Sequence, residues 1–353
     1  MIDGEHNAVY ESRKCVNMSR HPLDVNVLLD LLKQTATLSS ISQYLRDKGL
    51  PSSTTSWEST IESRLKPAIK TGSITVLDLY NFLACTEEYG AQHIFLYSCD
   101  QHSAQDVSNV KHLKEVLSKV GLIEIFQNPR VVAMPSQPIV TEVRHSDDDE
   151  RIVIKVVEKR IHMEFIGEEV HGTYVTKKYQ KKVERAVNVA CLHADGFLEL
   201  RIASHKNSSK YANDLRAFWD IITQIITKDN FSEISLKSIK ERFCSARATL
   251  HNEIRFSTSK MLNDFGTTLL VASGSQESDL MDDEGASSSL AVFSDHDAYC
   301  DSANIFFKCN HGQYPTADIH VLFGGEINEF AIPARCDQNN YQHVLKRIRS
   351  LNS

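Results

Sequence analysis

Lys177, Lys178, Lys181, Lys182 and Arg185 fall within nine residues of a chain whose net charge is −7. Arg201, Lys206 and Lys210 follow, opposed only by Glu184, Asp195 and Glu199. Crowding like charge costs self-repulsion, and a basic patch on an acidic protein raises the local concentration of polyanions. Tyr174 and Tyr179 stand among the lysines. Aromatic rings beside lysines can stack on bases while the ammonium groups hold phosphates. Further along, Arg247, His251 and Arg255 recur every fourth residue, which would put them on one helical face and lengthen a phosphate path. The candidate nucleic-acid-binding residues are therefore Lys177, Lys178, Tyr179, Lys181, Lys182, Arg185, Arg201, Lys206, Lys210, Arg247 and Arg255. A plainer role competes, because natural edge strands carry lysine to block unwanted pairing.

Metal chemistry has weaker support. Asp295, His296, Asp297, Cys300, Asp301, Cys309 and His311 cluster near the C-terminus, and Cys336 or His296 could complete a zinc tetrahedron with Cys300, Cys309 and His311. The spacing matches no zinc knuckle, and the cysteines flank the apolar run Ile305, Phe306 and Phe307, where free thiols pack. No metal is expected. Glu164, Glu168 and Glu169 with a nearby lysine suggest a nuclease, yet no motif places them. The chain has no P-loop, no GxGxxG, no GxSxG elbow and no HExxH. The expectation is a non-catalytic protein without a cofactor.

At 353 residues and 41% hydrophobic composition the chain can bury real cores, which excludes a fully disordered protein. No stretch reaches the roughly 20 apolar residues of a membrane helix. The polar opening residues lack the apolar core of a secretory signal. Eight scattered cysteines suit reduced thiols better than a disulfide framework, so the expected location is cytoplasmic, with no membrane partner.

The elements that must position these residues read as an α+β fold. It comprises an N-terminal helical section, a central antiparallel β-meander with packed helices, and a small C-terminal antiparallel sheet with a closing helix. The expected divisions are a polar tail over 1–20, a mainly helical domain over 21–121 and an α+β domain over 122–353. The helical domain could be a bundle or a winged-helix-like module. Within it, Leu28, Leu29, Leu31 and Leu32 form a compact stripe, and Ser40 with Gln43 reads as a capping box. Pro67 should kink or stop the helix that begins near Trp57. Gly90 reads as a helix-ending glycine, and residues 93–99 as a short buried strand.

In the central section, Ile139, Thr141 and Val143, then Ile152, Ile154 and Val156, alternate as strands around an acidic turn over 147–150. His162, Glu164 and Ile166 continue the alternation into an expected turn at Gly167. Asp195-Gly196 signals a hairpin before the next strand. Residues 273–289 are acidic and rich in Ser and Gly, a composition that predicts a mobile loop, with a strand at 290–293.

The leading functional expectation is a non-catalytic nucleic-acid-binding protein working through a basic β-hairpin, DNA before RNA and weakly held. The alternative is a non-catalytic subunit or sensor of a multi-protein system, for example in host defence, with a protein partner on the N-terminal helical domain. A metal-dependent hydrolase or nuclease is the third reading.

Overall fold

The computed structural model describes residues 23–353 apart from 147–149, 207–210, 246, 276, 297 and 311. The expected polar tail, most of the acidic turn, Lys210, Asp297 and His311 lie outside the described residues. Helices and a large antiparallel sheet make an α+β protein, as the pattern predicts. Among the described residues no helix is long and apolar enough to cross a membrane.

The strands run in chain order as β1 (Gly90–Ser98), β2 (Ile139–Ser146), β3 (Arg151–His171), β4 (Tyr174–Leu192), β5 (Phe197–Ala203) and β6 (Ser232–Glu233). They continue as β7 (Ile254–Asn263), β8 (Thr268–Ala272), β9 (Ala298–Phe307), β10 (Ile319–Phe323) and β11 (Glu329–Arg335). The described residues divide into two interleaved units, one within 23–83, 107–191 and 217–226, the other within 84–106, 192–216 and 227–353. The units interleave in sequence because β1 pairs with strands about a hundred or more residues downstream.

In the first unit the helix Val25–Thr35 buries Leu28, Leu29, Leu31 and Leu32, and the Asp24 side chain accepts from the Asn26 amide at 2.8 Å to cap it. The capping box of the next helix, Leu38–Asp47, is Thr37 with Ser40, each hydroxyl accepting from the other's amide at 3.1 and 3.0 Å. Gln43, the expected box partner, donates instead to Asp47 at 2.6 Å. Thr37 and Ser40 both carry short hydroxyls that reach these amides. Ahead of Pro67, residues Ile61–Leu65 form a π-helical turn, and the helix resumes over Lys66–Lys70. Proline lacks the N–H of the regular ladder, and its ring crowds the preceding turn. The sheet of this unit runs in the order β2-β3-β4. Its base packs Val153, Val157, Val187, Val189 and Cys191 together.

In the second unit the order is β5-β1-β11-β10-β9-β7-β8, with β6 pairing β1. This sheet is larger than the small C-terminal one expected, because β1 and β5 from earlier sections join it. The closing helix, Gln338–Asn352, lays Tyr341, Val344, Leu345, Ile348 and Leu351 into the core. Gly90 has φ +74°, and a Cβ there would meet the Ala334 carbonyl at 2.2 Å, so only glycine lets β1 approach β11. Residues 273–289 are not a featureless loop. Asp279 and Leu280 are buried, and the helix Glu284–Ser294, capped by Asp283, replaces both the loop's end and the expected strand at 290–293.

Near the centre of this unit sits a buried ion network. Arg201 and Glu199 project from the same face of β5, with Arg201 Nε 3.0 Å from Glu199 Oε2. Tyr341 donates to Glu199 at 2.5 Å, and His193 Nε2 lies 2.6 Å from its other oxygen. The guanidinium also donates to the Glu88 carbonyl at 3.1 Å and lies 4.3 Å from the Tyr341 ring centre. Burial alone pushes the Glu199 carboxyl up, but the Arg201 charge and the donors from His193 and Tyr341 outweigh it and hold the pKa at about 2. The folded-state value lies below the ordinary 4.5, so ionised Glu199 contributes stability above pH 4.5 that is lost as pH falls towards 2.

Arg201→Ala leaves a buried carboxylate unpaired and should cost about 3–5 kcal/mol in urea unfolding at neutral pH. Glu199→Gln should flatten the pH dependence of the unfolding midpoint between 4.5 and 2. A midpoint unmoved by Arg201→Ala would show that the network is not a structural determinant.

Candidate binding surface

β3 has 21 residues and β4 has 19, but β2 has only eight. β2 pairs β3 from Ser146↔Arg151 to Ile139↔Val157, so it supports only the base. There Ile152, Val153, Ile154, Val156 and Val157 are buried. Arg160 closes this base, bridging to Glu158 at 2.7 Å and donating to Asn188 at 3.3 Å. Beyond it the two strands run out as an exposed ribbon, with the turn at residues 172–173. Eleven residues of β3, 161–171, extend roughly 35 Å at about 3.3 Å per residue. The turn expected at Gly167 is not there. Gly167 stays within β3, and Gly172 at φ +59° makes the reversal.

The ribbon is amphipathic. Side chains alternate between faces, and two sets of contacts show which residues share one. Phe165 meets Tyr179 edge to face at 5.7 Å, so Ile161, Met163 and Phe165 share a face with Val175, Lys177, Tyr179, Lys181 and Val183. The opposite face is more polar, with Lys182 paired to Glu164 at 3.4 Å and His162 3.9 Å from Glu184, although Ile166 and Tyr174 are exposed there. Lys178 pairs with Glu169. On the apolar face Ile161, Met163, Phe165 and Tyr179 are about half exposed, and Val175 is more so. Among the described residues no carboxylate pairs with Lys177 or Lys181.

The structure thus brings together Lys177, Tyr179 and Lys181, and adds Phe165, whose pairing with Tyr179 across the strands has no signal in the sequence. The other candidates are placed differently. Lys182 is on the reverse face, paired to Glu164, and Lys178 pairs with Glu169. Arg185 lies at the ribbon's base, donating to the Val132 carbonyl at 2.9 Å. Arg201 is buried and cannot meet a phosphate. Lys206 is exposed in a bend after β5. Arg247, His251 and Arg255 do not share a helix: the helix is only Arg247–Leu250, and Arg255 lies in β7. There Arg255 pairs with Asp318 at 2.6 Å and lies over the Phe306 ring at 4.4 Å. Alternating apolar residues from Ile254 onward overrode the four-residue spacing.

Cys300 is buried and donates to the Ser302 carbonyl at 3.5 Å, while Cys309 donates to Thr316 at 3.2 Å. Burial and the neighbouring Asp337 charge push the Cys336 thiol up to about 12, which keeps it protonated. Glu164 pairs with Lys182 and Glu169 with Lys178.

The second unit holds a titratable cluster that sequence spacing missed. His93 Nδ1 contacts Glu329, and the ring stacks on Tyr211 at 3.6 Å. The Tyr211 hydroxyl accepts from the His205 amide at 2.8 Å, and His205 Nε2 lies 2.9 Å from Asp214. Each imidazole therefore has a carboxylate fixing one nitrogen, an arrangement able to hold or relay a proton. No protein-family model matches the chain, and no curated protein does either.

Met163→Glu with Phe165→Glu should leave the urea midpoint nearly unchanged, because exposed substitutions cost within about 0.5 kcal/mol each. The same double variant should lose bis-ANS fluorescence relative to the parent. Destabilisation beyond about 2 kcal/mol would place these side chains in a core.

Proposed function

We propose that the protein is a non-catalytic binding protein whose β3–β4 ribbon docks on a partner protein presenting an apolar surface bordered by carboxylates. The carrying observation is the half-exposed apolar face of Ile161, Met163, Phe165, Tyr179 and Val183, with Lys177 and Lys181 set into it. Fully burying one such side chain is worth about 1.5–3 kcal/mol. An exposed ion pair contributes about 0–1 kcal/mol, so the apolar face outweighs the lysines as a source of affinity. The lysines supply orientation and choice of partner. A second copy of this chain fits poorly as the occupant. Two facing ribbons would bury Lys177 and Lys181 of both copies against one apolar surface, and like charges there oppose association.

The N-terminal helices are a weaker partner surface than expected. Among the described residues no large apolar side chain between 23 and 121 is exposed. The ribbon carries four lysines against three glutamates between residues 161 and 183, so it is close to neutral. One observation still favours nucleic acid as the second reading. Phe165 and Tyr179, flanked by Lys177 and Lys181, form a small platform on which single-stranded bases could stack.

The test is fluorescence anisotropy with two labelled probes, a strand-forming peptide alternating apolar residues with Asp or Glu, and an oligothymidylate. Saturable binding of the peptide, weakened at least about tenfold by Lys177→Glu with Lys181→Glu, supports the proposal. The pair Lys178→Glu with Lys182→Glu should have a smaller effect. Tight, salt-sensitive oligothymidylate binding without peptide binding would transfer the conclusion to nucleic acid.

A further inference from the structure

The second unit contains a cleft of about 320 Å³, at the small end of ligand pockets and suited to a ligand smaller than a nucleotide. Leu96 of β1, Phe197 of β5, Leu236 and Ile348 of the closing helix give it an apolar floor, and all four are buried. Ile234 forms a half-buried wall, its backbone amide bonded to the Leu96 carbonyl at 3.0 Å.

At the mouth stand one acid and one base. Arg349 donates to Asp195 at the mouth, and its guanidinium carbon lies 4.1 Å from the Phe197 ring centre. Asp195 owes its place to the turn before β5. Gly196 there has φ +83°, and a Cβ would meet the Cys99 carbonyl at 2.7 Å. The Asp195 side chain also accepts from the Phe197 amide at 3.2 Å, which fixes the carboxylate beside the aromatic floor. Burial raises this carboxyl's pKa, but Arg349 and the Phe197 amide outweigh it, so the group stays ionised at neutral pH. Both charged groups are partly exposed, which makes their mutual pair weak and open to exchange.

We propose that this cleft binds a free apolar α-amino acid. The side chain would enter the Leu96–Phe197–Leu236 floor, the α-carboxylate would take the Arg349 guanidinium, and the α-ammonium would take Asp195. A zwitterion is the ligand class that satisfies both rim charges at once. A ligand with one charge leaves the other rim group without its partner, at a cost of about 1–3 kcal/mol.

Calorimetric titration with L-phenylalanine, 3-phenylpropionate, phenethylamine and glycine tests this on the full chain. L-Phenylalanine should bind with a dissociation constant on the order of 1 mM, as expected for a ligand of about a dozen heavy atoms. Each analogue lacking one charge should bind about tenfold more weakly or worse. Glycine, with no apolar group, should show no binding. Ile234→Trp should fill the cleft and abolish binding, and Arg349→Gln should weaken it at least about tenfold while leaving the far-UV spectrum unchanged. Absence of binding at the solubility limit of L-phenylalanine would overturn the proposal. So would equal binding of the four ligands, or affinity unaffected by Arg349→Gln.

Discussion

A sheet face is stable in water when something covers it, and β3 and β4 outrun the strand that supports them. β2 ends its pairing with β3 at Val157, while β3 continues to His171. An isolated two-stranded hairpin is marginal in water at best. Exposed ion pairs such as Lys182–Glu164 add little, about 0–1 kcal/mol each. What remains is an amphipathic ribbon with aliphatic and aromatic groups held half in solvent. A partner covering its apolar face would supply the missing burial, and the docking role proposed for the ribbon rests on this length mismatch.

The second unit solves the opposite problem. It encloses a full charge pair, and both charged groups meet several partners. Arg201 meets Glu199, the Glu88 carbonyl and two aromatic faces, and Glu199 meets His193 and Tyr341. Those partners come from the end of one helix, from β5 and its preceding turn, and from the closing helix. The network therefore ties distant parts of the chain to one register, because a buried charge tolerates few alternative partners. The same helix and turn carry Arg349 and Asp195 to the mouth of the neighbouring cleft.

Much of the fold was legible from pattern. The alternation at Ile139, Thr141 and Val143 gave β2, Asp195-Gly196 gave the turn into β5, and the stripe of Tyr341, Leu345, Ile348 and Leu351 gave the closing helix. Composition misled over 273–289, where a few residues, Asp279 and Leu280 among them, find buried places that local averages conceal. Charge density along the sequence does not map onto a single surface, for a similar reason. Lysines adjacent in sequence point to opposite faces of a strand, so Lys177 and Lys178 belong to different chemistry. Arg201 has the same residue type as a phosphate binder, but its neighbour two residues back is a buried glutamate. The apolar stripe from Ile161 to Phe165 was visible as strand pattern. That it would remain uncovered depends on the length of β2, which periodicity alone cannot fix.

Hydrogen–deuterium exchange across the whole chain, with and without the acidic–apolar peptide, reads the docking of the ribbon residue by residue. Added protection should be confined to 161–171 and 174–183, with exchange in the buried base of β3 and β4 unchanged. Protection appearing elsewhere while the ribbon's exchange stays the same would contradict this docking.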